Sequence, residues 1–322
     1  MFIEQQAFNE IKRSLPINAV ELLILDSDEN ILMFKRANEP AKDQWWFPGG
    51  RILFAETRMD AAKRVLKDEC GITKFDIRKI GMFEYIVENN TDNYHQHIIT
   101  TVYVVKSFEK NIKIDAQTST YLWQTSSAWM KNVKHDFLTC LLANFKKETL
   151  QYNATSFYME EIINVNDKFI KPELYNIILK ALSVPCVDLV VTNSVREILL
   201  VKRKNAPAKD EWWVPGGRVL FGEKRIDTAK RKLKEECGIE ANSFKEILDF
   251  EFVFNTPGSQ VFHNVTTLYE VSVDNEKVVL DNQSSEYSWR SAGAWLNEEL
   301  DDFIRNLIEN KIRNGQDGKA LN

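Results

Sequence analysis

Short apolar runs alternate along the chain with segments of helical spacing, and the same order of segments occurs twice. The runs AVELLILD and ILMFKR in the first half, and VDLVVTN and ILLVKR in the second, predict strands that form hairpins. Helical spacing of the apolar positions predicts helices near 5–14, 57–70, 172–182 and 224–237. Each half therefore begins with a helix, continues with a hairpin and reaches a second helix.

The remainder of each half predicts further strands and one more helix. Strands are expected near 79–88, 98–107, 247–254 and 265–273, and each set is followed by a strand that carries a tryptophan and by a last helix. Mixed strands combined with helices in this order predict an α+β sandwich in each half.

The two halves are copies of one sequence. Residues 35–72 and 202–239 are identical at 27 of 38 positions, with a constant offset of 167. After a one-residue change in a loop the match continues at an offset of 166, with the pairs His97 and His263, Thr100 and Thr266, Thr101 and Thr267, Tyr103 and Tyr269, Gln117 and Gln283, Tyr121 and Tyr287, and Trp123 and Trp289. A period of this length indicates two whole domains and not a stack of short units.

We place the first domain at residues 1–155 and the second at residues 168–322. Each half is long enough to bury its own core. The segment around 152–170 is not rich in glycine or serine, so we expect a close junction and not a flexible tether.

Charge and cysteine content exclude several classes of function. The net charge of −5, with acids and bases interspersed, gives no surface for nucleic acid or an anionic membrane, and neither is expected as a partner. No apolar run approaches the roughly 18 residues that span a bilayer, and the N-terminus lacks the apolar core of a signal peptide, which favours a cytoplasmic protein. The four cysteines include no CxxC pair, so neither a disulfide framework nor a structural zinc site is expected.

Each half carries a long motif of glycine, acids and arginine. From Gly50 the pattern is G-x5-E-x7-R followed by VLKDECGI, and from Gly217 the same pattern is followed by KLKEECGI. It resembles the Nudix box, G-x5-E-x7-R-E-U-x-E-E-x-G-U with U aliphatic, and its double occurrence makes the resemblance specific. The resemblance implies two tandem Nudix-fold domains, each an α/β/α sandwich with a mixed sheet, and hydrolase activity.

Adjacent acids near the end of each box helix point to a divalent metal. Asp68–Glu69 and Glu235–Glu236 present hard carboxylate oxygens, which suit Mg²⁺ or Mn²⁺. Such an ion would neutralise a diphosphate and stabilise its departure. The box glutamate and arginine are expected to form an ion-paired scaffold that orients loop and helix, and these pairs are Glu56 with Arg64 and Glu223 with Arg231.

Both copies lack the acid that follows the box arginine. Val65 stands there in the first copy and Lys232 in the second, which argues against the usual multi-metal attack on phosphorus. One branch of the family, the GDP-mannose mannosyl hydrolases, also lacks this acid and resembles the chain more widely. The shared features are an N-terminal stretch at Phe8, Ile11, Arg13, Ser14 and Pro16, a K-R-x-N-x-P-A run, the P-G-G-R segment and a late glutamine before Tyr-x-Trp.

This resemblance implies a site residue by residue. In that branch water attacks the anomeric carbon of the sugar, and one Mg²⁺ is held by a loop glycine carbonyl, the last box glutamate, a late glutamine and the diphosphate. The implied ligands are Gly49, Glu69 and Gln117 in the first copy and Gly216, Glu236 and Gln283 in the second. The implied diphosphate groups are Arg36, Arg51, Arg203 and Arg218, and the implied substrate-contacting acids are Glu21 and Asp188.

The catalytic base departs from that branch, in which a histidine follows the late glutamine. Thr118 and Ser284 stand at this position, and a hydroxyl is a poor general base near neutral pH. The best substitutes are the matching pair His97 and His263, and the alternatives are Asp115, Glu286 or another loop acid. His135 has no counterpart in the second copy and is expected at the surface.

The sequence thus predicts Mg²⁺-dependent hydrolysis of a nucleoside diphosphate sugar, similar to GDP-mannose, to the nucleoside diphosphate and free sugar. Two alternatives stay open: a pyrophosphohydrolase that attacks phosphorus, and a nucleotide-sugar binding protein with little turnover. In a mixed case, one copy is catalytic and the other degenerate. The tryptophan pairs at 45–46 and 212–213 would stack on a nucleobase or pack in the core. The tandem chain would form an internal pseudo-dimer or a homodimer.

Overall fold

The computed structural model describes residues 3–89, 94–146, 156–157, 170–205, 208–255, 261–274 and 276–317. The first repeat contains α1 (Gln5–Ser14), β1 (Ile17–Leu25), β2 (Ile31–Arg36), β3 (Trp45–Trp46), β4 (Gly49–Arg51), α2 (Arg58–Asp68), β5 (Phe75–Asn89), β6 (Tyr94–Ser107), β7 (Thr118–Gln124), α3 (Ser126–Trp129), α4 (Asp136–Asn144) and β8 (Ser156–Phe157). The second repeat contains α5 (Pro172–Ala181), β9 (Val184–Thr192), β10 (Ile198–Arg203), β11 (Trp212–Trp213), β12 (Gly216–Arg218), α6 (Arg225–Cys237), β13 (Phe244–Asn255), β14 (Val261–Ser272), β15 (Ser284–Arg290), α7 (Ala292–Leu296) and α8 (Asp302–Asp317).

The first sheet is mixed. Within the described residues it has eight strands in the order β3-β2-β1-β6-β5-β8, with β4 paired to β1 and β7 paired to β2. Strand β1 runs parallel to β6 and antiparallel to β2 and β4. All nine residues of β1 are buried, which explains why this strand is a continuous apolar run without alternation.

The second sheet repeats this arrangement. Its described part has seven strands in the order β11-β10-β9-β14-β13, with β12 paired to β9 and β15 paired to β10. A core cluster on this sheet joins Trp213 and Trp295 to apolar residues of α8, among them Ile304 and Ile308. Mixed sheets with helices confirm the predicted α+β class.

A close approach of β4 to β1 positions the box loop. A Cβ added to Gly49 would lie 2.6 Å from the carbonyl oxygen of Val20, so only glycine fits there. The register places Gly49 opposite Glu21. Helix α2 then begins after Thr57, whose hydroxyl accepts the backbone N–H of Asp60 at 3.1 Å. The loop glycine, the buried acid and the box helix therefore meet at one place.

The chain divides into two compact units. The first comprises Met1–Pro185, Leu220–Lys224 and His263–Val265, and the second comprises Cys186–Val219, Arg225–Phe262 and Thr266–Asn322. Three segments of the second repeat thus belong to the first unit, namely its start up to Pro185, residues 220–224 and residues 263–265. The junction predicted around 152–170 falls largely outside the described residues. Within the described part of the chain, no helix has the length and apolar character needed to cross a membrane.

Candidate active site

One ion pair joins the box loop to the box helix in the first repeat. Arg64 donates from Nε to Glu56 Oε1 at 2.7 Å and from Nη2 to Glu56 Oε2 at 2.9 Å, and Nη2 also donates to the carbonyl of Arg51 at 2.9 Å. Burial opposes the ionisation of Glu56, but the hydrogen bonds that it accepts, first of all from Arg64, lower its pKa. The pair holds the backbone that carries Arg51 against α2.

The matching arginine of the second repeat contacts the loop carbonyl and a second box acid. Arg231 donates from Nη1 to Glu235 Oε2 at 3.0 Å and from Nη2 to the carbonyl of Arg218 at 3.3 Å. Glu223, the matching box glutamate, accepts the backbone N–H of Leu220 at 3.4 Å. The exposed acid Glu235 is therefore bound to the box arginine.

Glu69 is the box acid that faces the glycine loop of the first repeat. Its carboxylate accepts the backbone N–H of Gly49, and a Cβ added to Gly50 would lie 3.4 Å from its Oε1. Burial and then the negative charge of Asp115 raise the pKa of Glu69 to about 7, although two nearby arginines lower it. Because a divalent cation would favour the ionised form of such a carboxylate, Glu69 has the chemistry of a metal ligand.

Amide and carbonyl oxygens complete the candidate metal site. Asp115 accepts from the backbone N–H of Gln117 at 2.9 Å and from its Nε2 at 3.2 Å, so the amide oxygen is the atom of this side chain that can bind a cation. Among the described residues, no three side chains of His, Cys, Asp or Glu form a metal cluster. Glu69, Gln117 and the Gly49 carbonyl fit one Mg²⁺ or Mn²⁺ that takes its other ligands from water and phosphate. Asp68 is exposed on α2.

A cavity of about 630 Å³ lies beside these oxygen atoms. Its walls bring together most of the residues expected for the first site, namely Glu21, Arg36, Gly49, Arg51, Glu69 and Gln117. Arg36 donates from Nε to the carbonyl of Pro40 at 2.6 Å, and the Arg51 guanidinium lies 4.9 Å from the centre of the Phe8 ring. Two positioned guanidinium groups beside a candidate metal site suit a diphosphate.

A buried acid forms another part of the cavity wall. Glu21 Oε1 accepts from Trp46 Nε1 at 3.1 Å and from the hydroxyl of Tyr85. In the described structure no group donates to its second oxygen, Oε2. Burial raises the pKa of Glu21 to about 7, and the hydrogen bonds from Tyr85 and Trp46 limit the rise. Glu21 therefore has one oxygen held by two donors and one buried oxygen without a donor among the described residues.

Tyr85 is a candidate site residue that the motifs do not indicate. It donates to Glu21 and lines the cavity, but it lies on β5, outside the box and outside the late glutamine segment. Comparison of the two copies distinguishes this position, because Phe252 stands at the matching place in the second copy and has no hydroxyl. Trp46 is buried, as expected for a tryptophan that packs in the core, and it also lines the cavity.

The two histidines expected as bases lie in buried backbone contacts. His97 is fully buried, and its Nδ1 accepts the backbone N–H of Gly222 at 3.0 Å. His263 is almost fully buried, and its Nδ1 accepts the backbone N–H of Ala55 at 3.1 Å. Neither is among the residues that line the cavity. His97 thus lies outside the wall that carries the groups expected to bind substrate in the first repeat, although the neighbouring Gln96 is in that wall.

Replacing His263 by asparagine is expected to reduce acid destabilisation. Burial lowers the pKa of His263 from 6.5 to about 4, so between these pH values the unfolded chain binds a proton that the folded chain does not. The free energy of unfolding should therefore fall with decreasing pH in this window, by at most ~1.4 kcal/mol per pH unit from this group. Asparagine keeps an acceptor for Ala55 and does not titrate. Urea unfolding above and within the window measures the effect, and equal acid losses in both proteins would contradict it.

His135 is not the surface residue that its lack of a counterpart suggested. It is half-buried, its Nδ1 accepts the backbone N–H of Phe137 at 3.2 Å, and its Nε2 lies 3.1 Å from the carbonyl oxygen of Ile86. Its ring packs edge-on against Trp46 and Tyr85. His135 thus supports the two side chains that hold Glu21.

The second repeat places a lysine at its box acid. Glu236 accepts the backbone N–H of Gly216 at 3.1 Å, and its Oε1 lies 2.6 Å from the ammonium of Lys232. Gln283 makes the same hydrogen bond as Gln117, because its Nε2 donates to Asp281 at 2.9 Å. Asp188 is buried opposite Gly216, and burial raises its pKa to about 7. The arginines expected to bind diphosphate, Arg203 and Arg218, are half-buried.

Comparison with known proteins identifies the domain in both repeats. The NUDIX domain matches residues 15–135 and 182–310. A low-salt glycan biosynthesis protein of Haloferax volcanii, Agl8, is 34% identical over 103 residues, which are 31% of this chain and 65% of that protein. A putative 8-oxo-dGTP diphosphatase of Bacillus subtilis is 46% identical over 52 residues, which are 16% of this chain and 33% of that protein. The chain thus spans less than two thirds of the length of each relative.

Solved structures with a similar fold match single repeats. The MutT protein of Methanosarcina mazei is 23% identical and covers 41% of this chain and 95% of its own, with a TM-score of 0.36. The NUDIX domain of Shewanella oneidensis NrtR, solved with ADP ribose, is 21% identical and covers 41% of this chain and 88% of its own, with a TM-score of 0.37. Because the NUDIX domain accounts for most of both repeats, the chain belongs to the NUDIX family and carries this domain twice.

Proposed function

We propose that the first repeat hydrolyses a nucleoside diphosphate sugar with the aid of one divalent cation, by attack of water on the anomeric carbon of the sugar. The observation that carries the proposal is the composition of its cavity. The residues that line it combine Glu69 and Gln117 with two arginines and with Glu21, whose buried Oε2 has no hydrogen-bond partner in the described structure. A cavity of about 630 Å³ accommodates a ligand of this size.

The diphosphate end of the substrate would lie at the box. Glu69, Gln117 and the Gly49 carbonyl would hold Mg²⁺ or Mn²⁺, which neutralises the diphosphate. Arg36 and Arg51 would bind its oxygens and stabilise the negative charge of the departing nucleoside diphosphate. The absence of a box acid at Val65 favours attack at carbon, because activation of water at phosphorus by several metal ions requires more carboxylate ligands than this box supplies.

The sugar end would lie at Glu21. As the water oxygen bonds to the anomeric carbon, Glu21 Oε2 takes its proton, and the carbon–oxygen bond to the diphosphate breaks with its electron pair on the leaving group. A pKa near 7 suits a general base, because the group is ionised yet basic at neutral pH. We propose Glu21 for this role in place of His97 and His263, whose Nδ1 atoms are bound to backbone N–H groups.

The relatives support a nucleotide-derived substrate and differ in its identity. The Haloferax volcanii protein is described as acting in glycan biosynthesis, which favours a sugar-containing substrate for this chain. The Bacillus subtilis protein is described as a putative 8-oxo-dGTP diphosphatase, which favours the alternative of cleavage at phosphorus. Product analysis separates the two mechanisms.

With GDP-mannose, UDP-glucose or ADP-glucose in ¹⁸O-labelled water and Mg²⁺, we expect a nucleoside diphosphate and a free sugar that carries the label. Attack at carbon places the water oxygen on the sugar, whereas attack at phosphorus places it on phosphate. Phosphorus NMR identifies the nucleotide product, and mass spectrometry locates the label. A nucleoside monophosphate and a sugar phosphate, with the label on the phosphate group of one of them, would establish a pyrophosphohydrolase instead. Micromolar binding without turnover of any of the three would establish a binding protein.

A further inference from the structure

The second repeat has a buried ammonium at the place where the box glutamate would meet a metal. Lys232 Nζ lies 2.6 Å from Glu236 Oε1 and 3.7 Å from Glu235 Oε2, and the side chains of Lys232 and Glu236 are each only 11% exposed. The other oxygen of Glu236 accepts the backbone N–H of Gly216 at 3.1 Å. Both carboxylate oxygens of the box acid are therefore engaged by groups of the protein itself.

The lysine also occupies the space in front of the glycine loop. A Cβ added to Gly217 would lie 2.6 Å from Lys232 Cε and 3.3 Å from its Nζ. The matching residue of the first repeat is Val65, whose Cγ2 would lie 3.4 Å from a Cβ added to Gly50. At one position on the box helix, the first repeat thus places a methyl group and the second places a positive charge.

A divalent cation and this ammonium exclude each other for two reasons. Two positive charges within a few ångströms in a poorly hydrated place repel strongly. The metal would also need the oxygen of Glu236 that binds Lys232, and breaking a buried ion pair leaves a charge without a partner. In the first repeat, Val65 stands at the matching position and brings no charge to Glu69. The oxygen set of the second repeat therefore does not fit a metal while Lys232 is present.

We propose that Lys232 replaces the divalent cation of the second repeat, so that the chain holds one metal ion and holds it at the first repeat. The location of that ion rests on the metal site of the proposed function. Glu236 and Gln283 then serve as partners of protein groups and not as metal ligands.

Exchange of the two residues tests this inference on the full chain with Mn²⁺ alone as the probe. Electron paramagnetic resonance of free Mn²⁺ during a titration counts the bound ions. We expect one ion in the natural protein, none in E69Q and none in V65K. We expect two ions in K232V, because valine restores the surroundings that Glu69 has. The double variant V65K/K232V should again bind one ion. Introducing E236Q as a third substitution should abolish the binding of that ion.

Thermal unfolding with and without Mn²⁺ shows that each variant is folded and gives a second measure, because an ion that binds only the folded chain raises its melting temperature. If K232V has a lower melting temperature than the natural protein without metal, Mn²⁺ should restore part of that difference. Binding of two ions by the natural protein would overturn the proposal. So would one ion that E69Q still binds and that E236Q does not bind. No binding, or no second ion in K232V, would also overturn it. These counts do not depend on which products the enzyme forms.

Discussion

The E69Q variant should lose about three orders of magnitude in kcat, because metal stabilisation of a charged leaving group is worth several kcal/mol. Glutamine keeps the size of the side chain and an oxygen that can accept the backbone N–H of Gly49. It removes the negative charge that would bind Mg²⁺ on the wall of the cavity. Initial rates at saturating substrate, measured over a range of Mg²⁺ concentrations, give the loss and the metal dependence together.

A matched variant separates this effect from a general loss of acidic charge. Asp76 is exposed on β5, and D76N removes one negative charge outside the residues that line the cavity. We expect D76N to retain the natural rate and the natural Mg²⁺ dependence. An E69Q protein that melts at the natural temperature and retains more than a tenth of the rate would exclude Glu69 as the metal ligand that the reaction requires.

The apolar pattern predicted the helices because each buries one face. Helices predicted near 57–70 and 224–237 occur as Arg58–Asp68 and Arg225–Cys237. The strands were predicted too short. Strand β5 begins at Phe75, although Asp76 and Arg78 are exposed and interrupt the apolar run. Pairing with β6 determines this end of β5, and such pairing is a tertiary effect that local composition does not contain.

The first site was predictable to the extent that its residues lie in the repeated motifs. The box, the arginines before and after the glycine loop, and the late glutamine line one cavity. The surroundings of the two histidines were not predictable in this way. Matching positions identified His97 and His263 as a pair, but their bonding partners, Gly222 and Ala55, lie 125 and 208 residues away in the sequence. Burial by such distant segments is not visible in local sequence.

The lysine–glutamate pair of the second site was predictable from the spacing of its residues on the helix. Lys232 and Glu236 are four residues apart on α6, the spacing at which side chains of opposite charge meet on one helix face. The lysine that stands in place of the box acid is therefore predicted, from the sequence alone, to pair with the glutamate four residues later. Its burial and its contact with Gly217 required the structure, because they depend on the fold of the loop.

The E21Q variant should lower kcat by about two to four orders of magnitude, the usual contribution of a general base. Glutamine keeps an oxygen for Trp46 and Tyr85 but cannot take a proton from water. In the natural enzyme, kcat/KM should rise with pH through an inflection near 7, because Glu21 acts as a base only when ionised and its pKa is about 7. This inflection should be absent in E21Q.

Y85F provides the matched comparison, since the second repeat has Phe252 at this position. The Tyr85 hydroxyl lowers the pKa of Glu21 by donating to it, so its removal should raise that pKa and move the inflection in kcat/KM to higher pH. At a pH well above the inflection, Y85F should recover most of the natural rate, whereas E21Q should not. If E21Q raised only KM and kept the inflection, Glu21 would position the sugar and the base would be another group. If Y85F left the inflection in place, the group that titrates near pH 7 would not be Glu21.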